Sequence, residues 1–180
     1  MITPDKSEKT RFLVLHDYGM GALWWWVWAR SAQEIVLALA EVEVVDDPDS
    51  IAEAETWSLE EVDLDASDPN SLSDARAERD AQRDQPGFGA LVGRERVYLS
   101  EPEEYDDGVT VYLSELGPDG RKLRQVEIGP DGRAIKTDES DSPINAPLDL
   151  YDPQYVALEI DNAAFEAAWD QAQWEEPEPE

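Results

Sequence analysis

Eight consecutive residues, Ala22 to Ala29 (ALWWWVWA), hold four tryptophans and no charge. As a strand, the segment alternates Trp24, Trp26 and Trp28 on one face with Leu23, Trp25 and Val27 on the other. Both faces are apolar, so the strand is either central and covered on two sides or leaves one Trp face open to a partner. Phe12-Leu13-Val14-Leu15 is a second short apolar run, a buried strand by length and branching. Between the two runs, Asp17-Tyr18-Gly19-Met20-Gly21 supplies two glycines, enough for a tight reversal and an antiparallel hairpin. Three uses of the Trp cluster follow from its chemistry. It fills a small core, it forms a protein–protein hot spot, or it makes a stacking platform for sugars or bases. Base stacking ordinarily requires a basic groove, and Arg11 and Arg30 are the only cations nearby.

The rest of the chain alternates readable elements with acidic spacers. Ser31 followed by Glu34 is a capping box, and Ile35, Val36, Leu39 and Ala40 form the apolar stripe of the helix it opens. Glu41 to Val45 reads as a third strand, giving a β-β-α-β unit with its helix on one face of a small sheet. Ile51 to Trp57 has helical character. Leu72 to Asp84 reads as a charged helix with few apolar positions, so 58–87 is expected to be an acidic linker with an exposed helix. Strands are predicted over Arg96–Ser100, Val109–Leu116, Lys122–Ile128 and Arg133–Thr137. The pentapeptide Gly-Pro-Asp-Gly-Arg occurs at 117–121 and again at 129–133, and reads each time as a hairpin turn of a meander. A loop over 142–153 precedes a last helix, capped by Asp161 and striped by Phe165, Ala168, Trp169 and Ala172. The expected class is α+β, with an N-terminal unit over 1–57, the linker, and a C-terminal meander plus helix over 88–174. Residues 1–10 and 175–180 are expected to be disordered ends.

Charge narrows the function. With 43 Asp and Glu against 14 Lys and Arg, the net charge is −29. A chain this acidic is repelled by phosphate, which disfavours direct contact with DNA, RNA or an anionic membrane. The absence of cysteine excludes disulfides, thiolate zinc sites and iron–sulfur clusters, and one histidine excludes a His₂ or His₃ metal centre within the chain. The longest apolar run, 19–29, is half the length of a membrane helix. Lys6, Lys9 and Arg11 precede an apolar stretch, but His16, Asp17 and Tyr18 interrupt it, so a leaderless cytoplasmic protein is expected. The charge is uneven: neither 31–75 nor 137–180 contains a single Lys or Arg. If those stretches share a surface they form a docking face; otherwise they serve solvation, as in salt-loving proteins.

Catalytic signatures are few. His16, at a strand end beside Asp17 and Tyr18, is the one possible general base of its type. Strand neighbours point to opposite faces, however, so Asp17 is poorly placed to orient the ring. Asp46-Asp47-Pro48-Asp49 and Asp63-Leu64-Asp65 have Ca²⁺-like carboxylates without the spacing, glycine and terminal Glu of an EF-hand. Asp119 and Asp131 suit turn geometry better than a metal. No P-loop, dinucleotide fingerprint or nucleophile elbow is present. No cofactor or metal site is expected, and the chain reads as a binding protein and not as an enzyme.

Tyr112, Ser114, Glu115, Arg124, Val126, Glu127, Asp131, Gly132 and Arg133, with Glu159, Phe165, Glu166 and Trp169, follow a pattern. It resembles that of a bacterial family of unknown function, in which a "YSEL…G…RKVEI…DGR" strand run precedes a closing "EI…EFE..W..A" helix. The likeness covers about a third of the chain; LVLHDYGMGALWWWVWARS resembles other short actinobacterial proteins, and 46–94 departs from the pattern. Small acidic members of that family resemble immunity proteins encoded beside polymorphic toxins, which implies a basic protein partner such as a toxin enzyme. The expected contacts are Glu103, Glu104, Tyr105, Asp106 and Asp107, a compact acid cluster around an aromatic, with Asp46, Asp47 and Asp49 as a second patch. A phosphate mimic occupying a nucleic-acid-binding groove, a halophilic structural domain and an enzyme using His16 are the alternatives.

Overall fold

The structure is a computed structural model that describes residues 8–141 and 144–176. Of the disordered ends expected at 1–10 and 175–180, residues 1–7 and 177–180 lie outside the described residues, as do 142–143 of the loop. At 9, 10 and 175 the expectation is corrected, because Lys9 pairs with Asp63 and Asp65, Thr10 opens the first strand and Glu175 N–H donates to the Lys136 carbonyl. The fold is α+β, and the chain divides into two compact units, 1–85 and 86–180.

In the first unit, β1 (Thr10–Asp17) and β2 (Ala22–Ala29) form the expected hairpin, with Leu13 opposite Trp26 and Val14 opposite Trp25. Two short edge strands complete a four-stranded sheet: β3 (Glu43–Val45) beside β1, and β4 (Glu61–Asp63) parallel to β2. The Trp strand is central and covered on both faces. Trp25, Val27 and Ala29 pack with Val14, Ile35, Leu39, Val62 and Leu72 on one side. Trp26 packs with Leu13 and Ala54 on the other, where Trp24, Ile51 and Leu59 join. The first cover comes from α1 (Ala32–Ala38) and α3 (Ser73–Arg83), the second from α2 (Pro48–Ala54). Of the two arrangements open to a strand apolar on both sides, the covered one is found, and the helix expected on one face gains a counterpart on the other.

The linker expected over 58–87 is corrected. Residues 58–85 belong to the first unit. Edge strand β4 hydrogen-bonds to β2, and α3 is not a solvated helix, because Leu72, Arg79 and Gln82 are buried. Its arginines act on α1, which has no basic residue in its last turn. Arg79 donates to the Leu39 carbonyl at 3.1 Å and Arg83 to that of Leu37 at 2.5 Å. Carbonyls at a helix end have no partner inside the helix, and α3 supplies one from outside. Arginines that read as a solvated face are therefore packing residues.

The second unit is a five-stranded sheet in sequential order: β5 (Val97–Tyr105), β6 (Gly108–Leu116), β7 (Lys122–Ile128), β8 (Ala134–Asp138) and β9 (Gln173–Trp174). The meander is antiparallel, and β9 adds to β8 in parallel. Leu113 and Val126 face α4 (Asn162–Gln171) through Phe165 and Ala172. Val97, Leu99 and Leu116 face Leu91 and Leu150 on the other side. Asp161 caps α4 as expected, accepting the Ala164 N–H at 2.7 Å.

The two Gly-Pro-Asp-Gly-Arg turns share one geometry. In each, the aspartate accepts the N–H of the arginine two residues on at 3.0 Å, and the second glycine is left-handed, with φ of 85° at Gly120 and 81° at Gly132. They differ in surroundings. A Cβ on Gly120 would lie 2.2 Å from the Leu148 carbonyl oxygen, whereas one on Gly132 would meet nothing within 4 Å. Gly132→Ala is expected to cost about 1 kcal/mol, the left-handed penalty alone. Gly120→Ala should cost about 3 kcal/mol or more, because a backbone segment must also move. Equilibrium urea unfolding of the two variants checks this, and equal losses would contradict the assignment.

Candidate functional site

The acid cluster expected at 103–107 forms the tip of the β5–β6 hairpin. Tyr105 pairs with Gly108, and Asp106-Asp107 is the two-residue turn. Strand alternation divides the cluster. Glu101, Glu103 and Tyr105 share one face, Glu104 belongs to the opposite face, and the two turn aspartates project at the end. Register then adds residues from further along the chain. Glu101 pairs with Tyr112, and Tyr112 with Glu127, so this face carries Glu101, Glu103 and Glu127 around Tyr105 and Tyr112.

The two tyrosines are tied to this array. Tyr105 Oη donates to the Glu103 carboxylate and lies 3.2 Å from Tyr112 Oη. The bond to Glu103, and then that to Tyr112, pushes the Tyr105 phenol up from its ordinary value and keeps its proton in place. Gly108 lets the tip approach the second Gly-Pro-Asp-Gly-Arg turn, since a Cβ there would fall 2.8 Å from Pro130 Cβ. Among the described residues, none of Glu101, Glu103, Glu104, Asp106, Asp107 and Glu127 pairs with a Lys or Arg. Glu101, Tyr112 and Glu127 escape a reading by sequence proximity. The signal present is the alternation of E-P-E-E-Y at 101–105, which continues a strand that sequence analysis ended at Ser100.

The second acidic patch has a local structural explanation and lies in the other unit. Asp47 is the N-cap of α2, accepting the Ser50 N–H at 2.8 Å and its hydroxyl at 2.6 Å. These bonds, the hydroxyl first, hold its carboxyl below the usual range. Asp49 lies in the first turn of the same helix, where a negative charge is favoured, and Asp46 is exposed beside the cap.

His16 and Asp17 have separate partners. His16 Nδ1 lies 2.8 Å from the Glu41 carbonyl oxygen, so that nitrogen donates. Glu41 holds a left-handed φ of 56°, and the bond ties this turn between α1 and β3. Asp17 accepts the Gly19 N–H at 2.8 Å within the hairpin.

Asp63 and Asp65 are engaged by cations. Lys9 bonds Asp63 and lies 2.7 Å from Asp65, and Arg30 bridges Asp65 at 2.7 Å and Glu34 at 2.9 Å. Arg11 adds Glu55 at 2.5 Å and Glu61 at 3.0 Å while lying 4.2 Å from the Trp26 ring. Together these pairs hold the short strand β4 to the hairpin. An open cleft of about 500 Å³ lies beside them, lined by Leu64, Asp65, Asp68, Ser73, Arg76 and Asp80. Among the described residues, no three His, Asp or Glu side chains group so as to hold a metal ion.

Five of the residues that carry the resemblance, Glu115, Arg124, Phe165, Glu166 and Trp169, form one clamp. Arg124 bonds Glu115 at 2.7 and 3.0 Å and Glu166 at 2.5 Å, and its guanidinium lies 5.0 Å from the Phe165 ring and 4.8 Å from that of Trp169. The hydrogen bonds to Arg124 hold the Glu115 carboxyl below its ordinary value. This clamp joins β6, β7 and α4, so for these five residues the pattern has a packing explanation. Comparison of the chain with protein-family models, curated proteins and solved structures returns no match.

The β4 pairs predict an acid limb. Hydrogen bonds hold Glu61, Asp63 and Asp65 below their ordinary values of 4.5 and 3.8: from Trp28 then Arg11 for Glu61, from Lys9 for Asp63, and from Arg30 for Asp65. A carboxyl lowered on folding stabilises above its unfolded value, and that contribution is lost as pH falls through the folded one. The melting temperature should therefore hold between pH 5 and 8 and fall below about pH 4. Asp65→Asn should melt lower at neutral pH with a shallower acid decline. An acid decline as steep as that of the wild type would contradict the role given to Asp65.

Proposed function

We propose that this chain is a non-catalytic, acidic protein-binding protein of the immunity or inhibitor kind, docking a basic protein such as a toxin enzyme. The observation that carries this reading is the hairpin-tip end of one face of β5, β6 and β7, where Glu103, Tyr105 and Glu127 are exposed and Glu101 and Tyr112 half-buried. Three carboxylates there meet no Lys or Arg among the described residues and are interleaved with two tyrosines. Carboxylates that the fold does not neutralise attract a basic surface during approach, and tyrosines offer Lys and Arg side chains an aromatic face once in contact. Glu104, Asp106 and Asp107 extend the field to the hairpin tip.

A bacterial, cytoplasmic setting belongs to the same proposal. No helix among the described residues is long and apolar enough to cross a membrane. A phosphate mimic would require a continuous row of carboxylates, and the tyrosines interrupt this one, which favours a protein surface over a nucleic-acid groove as the thing matched.

Electrostatic steering has a kinetic signature. The association rate with a purified basic partner should fall about tenfold or more between low and physiological salt. Glu101→Gln/Glu103→Gln/Glu127→Gln should slow association at low salt while changing dissociation much less. Stopped-flow or surface-resonance kinetics measures both, and an association rate indifferent to salt and to these substitutions would remove the docking role of this face.

A further inference from the structure

A row of unpaired backbone N–H and C=O groups along the edge of a sheet is a template for a further strand, and the second unit closes its two edges by different means. β5 lies at one edge. Its Tyr98 carbonyl accepts the Ile160 N–H at 2.9 Å, so Tyr98 turns its backbone away from β6, and alternation gives Ser100 and Pro102 the same direction. Proline at 102 therefore deletes an outward N–H without costing the ladder to β6, and Glu101, Glu103 and Glu104 set charge around it. β8, toward the other edge, has no proline. Its one cation is drawn onto the sheet face, where Lys136 Nζ donates to the Trp169 carbonyl at 3.2 Å. Nor is the acidity of the chain a guard here, since 121–136 holds five Lys and Arg against two acids.

What closes this edge comes from beyond α4. Gln173 pairs with Ile135 and Trp174 with Lys136, and Glu175 N–H donates to the Lys136 carbonyl at 3.3 Å. Lys136 therefore turns its backbone outward, as Asp138 does by alternation, and the Asp138 N–H is met by the Asp141 carboxylate at 3.1 Å. β9 is only two residues long, and both are exposed. Its Trp174 ring meets Trp169 edge-on at 5.4 Å, with Lys136 Nζ 4.9 Å from one ring and 5.2 Å from the other. Two residues of parallel pairing hold weakly by themselves. Ala172, buried at the end of α4, delivers Gln173 to the edge, so β9 competes for it as a tethered strand.

We infer that β9 is a guard strand: residues 173–175 occupy the outer edge of β8 and keep it from pairing with β8 of a second copy. An antiparallel copy centred on Ile135 sets Ile135 opposite its own equivalent and Lys136 opposite Ala134. No like charges are opposed, and the residues engaged are those that β9 covers. Such a contact is self-complementary, as a two-fold interface must be. The net charge of −29 opposes the approach of two copies at low salt, and high salt screens that repulsion.

The test uses the full chain with Glu175→Pro, which deletes the N–H given to Lys136, and with Trp174→Ser/Glu175→Pro, which deletes the ring contact as well. Sedimentation velocity is followed up to about 100 μM chain in low salt and in about 1 M sodium chloride. Amide exchange by NMR reads the Lys136 N–H. Wild type should remain monomeric in both salts. The double variant, with unchanged circular dichroism, should exchange the Lys136 amide about tenfold faster when dilute. It should dimerise at high salt, and that amide should regain protection as the dimer forms. Glu175→Pro alone should move both readings in the same direction by less, and serves if the double variant fails to fold. A variant that frees the Lys136 amide yet stays monomeric in high salt overturns the guard. So does a dimer in which that amide still exchanges fast, since the contact then lies elsewhere. A Lys136 amide as protected in the monomeric variant as in wild type, or a wild type that dimerises equally, overturns it too.

Discussion

Forty-three carboxylates share fourteen Lys and Arg side chains in this chain, and the placement of those few cations decides which acids are left over. Lys9, Arg11 and Arg30 converge on Glu34, Glu55, Glu61, Asp63 and Asp65 and fasten a three-residue strand to the sheet. Arg76, Arg79 and Arg83 reach backbone carbonyls of Leu64, Leu39 and Leu37. Arg124 clamps Glu115 and Glu166, and Lys136 donates to the Trp169 carbonyl while lying near the rings of Trp169 and Trp174. These cations serve structure first. Surface ion pairs contribute little singly, but shared carboxylates make networks in which each side chain fixes the next. Further acids pair locally, Asp80 with Arg83, Asp119 with Arg121 and Glu159 with Arg94, whereas Glu101, Glu103, Glu104, Asp106, Asp107 and Glu127 meet no Lys or Arg among the described residues and repel one another across water.

Local chemistry made much of the fold legible. ALWWWVWA, apolar on both faces, announced a strand without deciding between a covered one and one with an open Trp face, and two glycines announced its hairpin. Ser31 and Asp161 announced two helix starts, although Glu34 reaches back to the N–H of Arg30 and not to that of the cap itself. The repeated pentapeptide located two turns of identical geometry. Elements whose cause lies far along the chain stayed hidden. A strand as short as β4 has no periodicity to detect; backbone bonds to β2 and ion pairs to residues some fifty positions away hold it. Helix α3 carries its burial on Leu72, Arg79 and Gln82, a stripe that a hydrophobicity pattern scores as polar. The two-residue β9 depends on Trp174 meeting Trp169 across 5.4 Å.

The candidate site was half legible for a related reason. Density of acids along the sequence located the hairpin tip but grouped Glu104 with Glu103, which alternation sends to opposite faces. Tyr112 and Glu127 join the face through register alone, and register is set by turns at 106–107 and 117–121 that had to be in place first. Asp46-Asp47-Pro48-Asp49 shows the reverse case: a dense acid run whose central member is a helix cap, with its charge explained by two bonds to Ser50.

The stretches without Lys or Arg, 31–75 and 137–180, fall in different units, and five acids of the first, Glu34, Glu55, Glu61, Asp63 and Asp65, are paired by cations from outside it, Lys9, Arg11 and Arg30. The hairpin acids at 101–107 belong to neither stretch, yet no Lys or Arg among the described residues meets them. Charge counted along the chain and charge left over in the fold are therefore different quantities, because a cation neutralises what it reaches in space. A binding reading gains nothing from the density of acids as such. It rests on carboxylates that no Lys or Arg among the described residues reaches, set beside tyrosines that strand register brings to the same face.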